Sequence, residues 1–528
     1  MKKVLSFLLV LLVISCSKEG IENVENMSKL IEEESFPIAT FGEQTGHPFS
    51  MENVLTAYYN LPIETRSSFD LDQIVPTHKY VCFVPTSEDE MDSIQRKNDL
   101  DYYQYPLDCE ITEGFVGIDN PFMINGFPRY WCVVPNDCPL DAFGCPYVIE
   151  SELWMPDDPN EVKVKSSDNM SFVMALLNEI CYEHGMANPY SVETKASNHY
   201  YPGGYVKYYD SVLGLIGVEG MVVEAYTFWH NYKATSLSNG VLNFGSHTFN
   251  GSFRYRIKFK RDDFAIRKED NNSDLEYVTA QVTTPLTQVF SGEYAKYCVI
   301  FQAAQRFYYQ PIDIPRPPEN GFWKACLRLQ VFPNTSNGNT VGQHNIEDRW
   351  WFLADRPVIK IWGYSAGEEN TSDELYGGAI HELAHSMHYN MDKNLYSSIE
   401  KRVKESVAFG IQCYLADQRY SSYSANYADD YRLINLYTEI MKDLTDGVKM
   451  VYCYDAVDNG GYYLYSGFQS SYYDNISSTY SIPELIEAVR TCTTPLNWYS
   501  RILSLYPGRL STTTDLHTAF HFWFLYED

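Results

Sequence analysis

His381-Glu382-Leu383-Ala384-His385 constrains this chain more than any other stretch. Residues four apart on a helix lie one turn from each other on the same face, so a helix here aims both imidazoles the same way. Glu382 then lies about 100° round the axis from His381. Its carboxylate stands beside a metal ion held by the two imidazoles rather than on it, where it can polarise a bound water. The surrounding residues predict one amphipathic helix from Ser372 to Asn390. Thr371 and Ser372 can cap it, and Asp373 and Glu374 suit the positive end of its dipole. Ile380, Leu383, Ala384 and Met387 give it an apolar side next to the histidine stripe.

A metal that activates water needs three protein ligands and one open position. Three patterns after the motif compete for the third place. Glu405 lies in a second helical pattern, about Tyr396 to Asp417, and shares a face with Ala408, Phe409 and Gln412. A core-facing carboxylate demands a partner, and a metal is an excellent one. His388 is on the same stripe as His381, but too far along a straight helix to share one tetrahedral ion with both other histidines. It reads as a core histidine or as a brace for a ligand. A distal histidine after a glycine turn is absent, since no glycine occurs from Ser386 to Ser398.

H-E-x-x-H followed by a glutamate on the next helix resembles the gluzincin group of zinc metallopeptidases. Nineteen residues separate His385 from Glu405, within the usual range of that group. The resemblance spans about Pro285 to Asp528 and is specific around Tyr376 to Ala416. It implies one Zn²⁺ per chain held by His381, His385 and Glu405, with Glu382 as general base. It further implies a zincin-like α+β metallopeptidase domain over residues 271–528. Thermolysin-like members carry an aspartate four residues after the glutamate, bracing a histidine ligand; Phe409 stands there in this chain. The mucin-active, enhancin-like branch has comparable spacing. Arg356 to Gly363 reads as a strand, and Pro357 near its start suits a sheet edge. In zincins an edge strand ahead of the catalytic helix pairs with extended substrate, a case of strand addition; the other reading is an ordinary strand of the lobe.

Lys2 and Lys3 precede a short apolar run from Val4 to Ile14, too short to span a bilayer and suited to a signal-peptide core. Val13-Ile14-Ser15-Cys16 resembles a bacterial lipobox, which implies cleavage before Cys16 and lipidation of that residue. An ordinary secretory signal is the alternative. Residues 16–40 form an acidic tether, and its start resembles the surface-export signals of some diderm bacteria. These features place the protein at the cell envelope, lipid-anchored, at the outer membrane and surface-exposed. No other apolar run is long enough to cross a membrane. The net charge of −29, or −31 once Lys2 and Lys3 leave with the signal, argues against nucleic acid as a partner. The expected contacts are a protein, peptide or glycoprotein substrate, and a membrane through the N-terminal lipid only.

The 528 residues have room for several domains. A mixed α/β N-terminal domain is expected over residues 41–200, with a strand from Lys79 to Val84 and a helix from Ser167 to Gly185. Pro202-Gly203-Gly204 marks a boundary. Residues 201–270 then alternate in short strands, at Gly220–Tyr226, Gly240–Phe244 and Ser252–Phe259. This predicts a small antiparallel β-sandwich that resembles the carboxypeptidase regulatory-like module. The expected class is therefore a multidomain α+β protein. Of twelve cysteines, Cys109, Cys132, Cys138 and Cys145 cluster, and export makes disulfides possible there. Cys181, Cys298, Cys326 and Cys413 sit in apolar patterns and read as buried thiols.

Two functional classes follow. One is a secreted, lipid-anchored zinc metallopeptidase, in which His517, His521 or the tyrosines from Tyr462 to Tyr473 would stabilise an oxyanion. The other is a surface lipoprotein that binds glycan or host protein through a non-catalytic zincin fold. The intact Glu382 favours the first, because a purely structural metal site has no use for a base.

Overall fold

A computed structural model describes residues 37–67, 71–96, 100–156, 167–188, 199–319, 326–338, 340–347, 356–421, 440–445, 451–453, 471–473, 480–509, 516–517, 519–520 and 524. The leader, Cys16 and most of the acidic tether lie outside the described residues. No described helix is long and apolar enough to cross a membrane. The protein is mixed α+β, with several separate sheets. It forms two compact units: one takes residues up to 210, 214–261 and 270–298, the other 211–213, 262–269 and 299–528.

In the first unit, the expected strand near Lys79 is His78–Phe83, the centre of an antiparallel sheet between Tyr130–Pro135 and Tyr147–Leu153. Helix Ser167–Glu183 buries Phe172, Leu176, Leu177 and Ile180 against Val54 and Ala57 of helix Met51–Asn60. The strands read between residues 201 and 270 are present, as Val222–Tyr226, Val241–Asn243 and Arg254–Lys258. They fall into two sheets that recruit strands from beyond that stretch. Leu286–Phe290 pairs in parallel with Gly203–Asp210, while Glu276–Val278 and Gly114–Val116 extend the sheet of Arg254–Lys258. Inside it, the fully buried Arg256 donates to Glu224 through Nε at 2.7 Å and lies 3.8 Å over the Tyr103 ring. A buried charge is tolerable only when it is paired in this way.

The second unit is built on a five-stranded sheet, four strands of which lie in the order Phe264–Lys268, Leu327–Ser336, Arg356–Ser365, Gly342–Glu347, while the short Glu368–Glu369 pairs back on Arg356–Ser365. The first three strands run parallel; Gly342–Glu347 is antiparallel to its neighbour and lies at the edge. Of the two readings of Arg356 to Gly363, the ordinary strand is the one present, and the edge reading is not. Pro357 is the second residue of its strand, opposite Ile346, where a missing N–H interrupts only the end of the ladder. Helix Ser372–Met391 follows, with the Thr371 N–H donating to the Glu374 carboxylate at 2.7 Å. The Ser372 N–H donates to Ser211 Oγ at 2.7 Å, and the Ser211 N–H to Ser372 Oγ at 2.9 Å, so two donors at the helix start are satisfied. A short helix Lys393–Tyr396, capped by Asp392, precedes helix Lys401–Arg419, which packs against Ser372–Met391. The second helix thus begins five residues later than the sequence pattern implies, and Tyr396 stands outside it.

Cys109, Cys132 and Cys145 are buried thiols, and no disulfide joins the cysteines of this cluster.

Candidate metal centre

Helix Ser372–Met391 is buried along most of its length, and His381 and His385 lie on it one turn apart, 7% and 8% exposed. Helix Lys401–Arg419 brings Glu405 to them. His381 Nε2 and His385 Nε2 are 3.2 Å apart, and each lies 3.2 Å from Glu405 Oε2. The three donor atoms are therefore the corners of a nearly equilateral triangle, the arrangement of three lone pairs aimed at one point. This group could hold a metal ion. The chemistry of the donors agrees, since two imidazole nitrogens and a carboxylate oxygen are a common ligand set for one cation.

The outer partners fix which nitrogen is free. His381 Nδ1 lies 2.9 Å from Gln412 Oε1, an atom that can only accept, so Nδ1 carries the proton and Nε2 keeps its lone pair. His385 Nδ1 meets the Tyr396 hydroxyl at 3.4 Å. Phe409 occupies the place where thermolysin-like proteins carry a bracing aspartate; Gln412 and Tyr396 are the side chains that contact the outer ring nitrogens here. Burial disfavours charge on His381, but Glu405, Glu382 and Gln412 hold its pKa above the usual histidine value. Burial also opposes ionisation of Glu405, but the close approach of the His381 and His385 rings overcomes it and holds that carboxyl well below the ordinary range.

Glu382 is 7% exposed and outside the triangle. Burial raises its pKa, the direction that suits a base. It accepts a hydrogen bond from the His344 backbone N–H on the edge strand. Gly342, two residues earlier, is packed under it: a Cβ there would stand 2.6 Å from Glu382 Cγ and 2.9 Å from Oε1. Residues 342 and 344 face the same side of the strand. The half-buried His344 ring accordingly lies near His385, centroids 6.1 Å apart and planes 28° from parallel, with Tyr396 at 6.5 Å. Its Nε2 is buried without a hydrogen-bond partner among the described residues. Burial and the neighbouring His385 depress its pKa to about 3, so the ring is neutral.

His388 does not join the triangle. It is 2% exposed and lies edge-on to Tyr396 at 5.5 Å, with its pKa lowered to about 3 by burial, as expected for a core histidine. His517 packs edgewise on Tyr499 at 5.8 Å and is not a member of the metal group formed by the described residues. His521 and residues 462–470 lie outside the described residues; Tyr472 and Tyr473 belong to a short strand. Gly342, His344 and Tyr396 were not singled out from the sequence. The one sequence signal for the first two is their alternation in Val341–Ile346, a half-exposed strand pattern.

No family model, no curated protein and no solved structure matches the chain.

Proposed function

We propose that the protein is a zinc metallopeptidase of gluzincin type, anchored at the cell envelope through Cys16 and acting on extracellular proteins or glycoproteins. The observation that carries this reading is the triangle of His381 Nε2, His385 Nε2 and Glu405 Oε2, 3.2 Å on each side, with a buried carboxylate beside it. Tetrahedral zinc with ligands at about 2.0–2.1 Å spaces its donors by about 3.3 Å. Bound zinc supplies Lewis acidity, acidifying water and polarising a carbonyl.

The remaining work falls to the protein's own residues. Gln412 and Tyr396 hold the two imidazoles with Nε2 inward. Glu382, fixed by the His344 N–H and by contact with Gly342, takes a proton from water as the oxygen attacks a peptide carbonyl. It then delivers that proton to the amine as the C–N bond breaks. The edge strand Gly342–Glu347 would pair with an extended peptide through outer backbone groups other than the His344 N–H, which Glu382 takes. A binding protein with a structural metal site would have no need for a buried base oriented in this way.

Glu382→Gln tests the reading. It keeps the shape and cannot accept a proton. Zinc content and melting temperature should stay as in the wild type, while peptide turnover falls at least ~10²–10⁴-fold. Equal turnover in the two forms defeats the mechanism. A wild-type protein that binds zinc and cleaves nothing in a broad peptide library supports the binding-lipoprotein class instead.

A further inference from the structure

The edge strand holds Glu382 by the backbone of His344, and that use leaves the His344 side chain free for something else. Three observations bear on what it does. Its ring lies close to His385, centroids 6.1 Å apart, so it faces the metal group. It is not part of the metal group, in which, among the described residues, His381, His385 and Glu405 bring their donor atoms together. Its Nε2 is buried and has no hydrogen-bond partner among the described residues. A buried ring nitrogen with no partner costs about 1–3 kcal/mol, a penalty that a ligand at this nitrogen would remove. The ring contacts with His385 and Tyr396 account for a flat side chain at 344 but not for its orphaned nitrogen, since an apolar ring would make them without the penalty.

The position also fits the chemistry. A peptide pairing with Gly342–Glu347 runs past the side chains that this strand sends toward the metal group. His344 is the one side chain on that face with a nitrogen to offer. We propose that His344 is a catalytic residue that donates a hydrogen bond from Nε2 to the oxygen of the scissile carbonyl; this rests on the metallopeptidase reading. As water oxygen bonds to the carbonyl carbon, the π pair moves onto that oxygen, and the hydrogen bond strengthens with the growing charge. His344 keeps its proton throughout. When the carbon–nitrogen bond breaks, its electron pair leaves with the nitrogen, which receives the water proton from Glu382. The balance is one peptide bond and one water in, one acid and one amine out.

The test compares the wild type with His344→Phe, which keeps a flat ring without the donor, and His344→Gln, which restores a donor. Zinc content, melting temperature, kcat and KM on a cleavable peptide, and binding of a phosphonate-containing peptide are measured on the full chain. The phosphonate mimics the charged tetrahedral carbon. Removing one such donor elsewhere lowers kcat by ~10²–10³-fold. The expected result for His344→Phe is a fall of that order in kcat at nearly constant KM, unchanged zinc and melting temperature, and phosphonate affinity weakened in parallel with kcat/KM. His344→Gln should recover part of each. The proposal is overturned by kcat/KM within threefold of wild type. It is equally overturned by a drop in kcat with phosphonate affinity intact, which would make His344 only a support for Glu382, and by loss of zinc, which would make it a ligand. A wild type without zinc or turnover fails the metallopeptidase reading itself, an outcome distinct from an active wild type whose His344 variants behave normally.

Discussion

Gly342→Ala is the most direct probe of how the edge strand sets the base. The strand backbone at this residue is not in the left-handed region, so alanine meets no conformational barrier there. What it meets is Glu382: the added carbon would stand 2.6 Å from Cγ, 2.9 Å from Oε1 and 3.1 Å from Cδ. Ordinary carbon contacts begin near ~3.5 Å, so the carboxylate must retreat by about 1 Å or the strand must move away from the helix. Either motion disturbs the bond from the His344 N–H. Misplacement by about 1 Å costs on the order of 10²-fold in rate. The three atoms nearest to the added carbon all belong to Glu382, none to a metal ligand. The assay is kcat on a peptide substrate, with zinc content and thermal unfolding in parallel. The expected variant is zinc-loaded and folded, with kcat down by about 10²-fold and KM changed less. Full turnover would show that Glu382 is not held against Gly342. Joint loss of zinc and activity would mean that the close approach serves the fold rather than the base.

Other outcomes follow from the same structure. Glu405→Ala should abolish tight zinc binding, whereas Gln412→Leu should weaken it about 10–100-fold with all three ligands in place, both read by competition with a chelating dye. His47 is buried, and burial, helped by His184, lowers its pKa to about 3. Its contribution to stability is therefore complete above the unfolded value near ~6.5 and is lost as pH falls from there toward 3, because the unfolded chain binds the proton more readily. Replacing it by glutamine should flatten the decline of melting temperature between pH 6.5 and 4; an unchanged slope would discount the group. Cys16→Ser should release the protein from detergent-extracted membranes if a lipid sits on that cysteine, and persistence in the membrane fraction would refute the anchoring.

The sequence made the two histidines and Glu405 legible for a physical reason. Helical periodicity ties His381 to His385 locally, and a carboxylate on the apolar face of the next helix needs a cation. The same argument placed Gln412 on that face but could not say that its oxygen would choose the tautomer of His381, since that depends on how two helices rotate against each other. Strand order was less accessible. Arg356–Ser365 and Gly342–Glu347 are both short alternating runs, and which one ends the sheet is set by pairing across the fold rather than by either run. The break between Lys393–Tyr396 and Lys401–Arg419 was hidden as well, because Tyr396 continues the helical pattern. That break is what leaves Tyr396 beside His385.

Strand Phe264–Lys268 has a bearing on anyone who would shorten this protein. It belongs to the sheet of the second unit, yet the chain on either side of it belongs to the first. A fragment beginning at residue 271 would retain every proposed metal ligand and still lack this strand. Leu327–Ser336 would then become an outer strand, with the backbone groups that pair from Phe264 to Lys268 left open. Leu327, Leu329 and Val331, all 1% exposed or less, would lose neighbours such as Phe264 and Ile266. A long, apolar, uncovered strand recruits other chains. Such a fragment should precipitate on expression, and adding residues 262–270 at its start should help only if that short segment finds its parallel register unaided. Cutting by sequence order alone would thus turn the protein into an aggregate before its chemistry could be assayed.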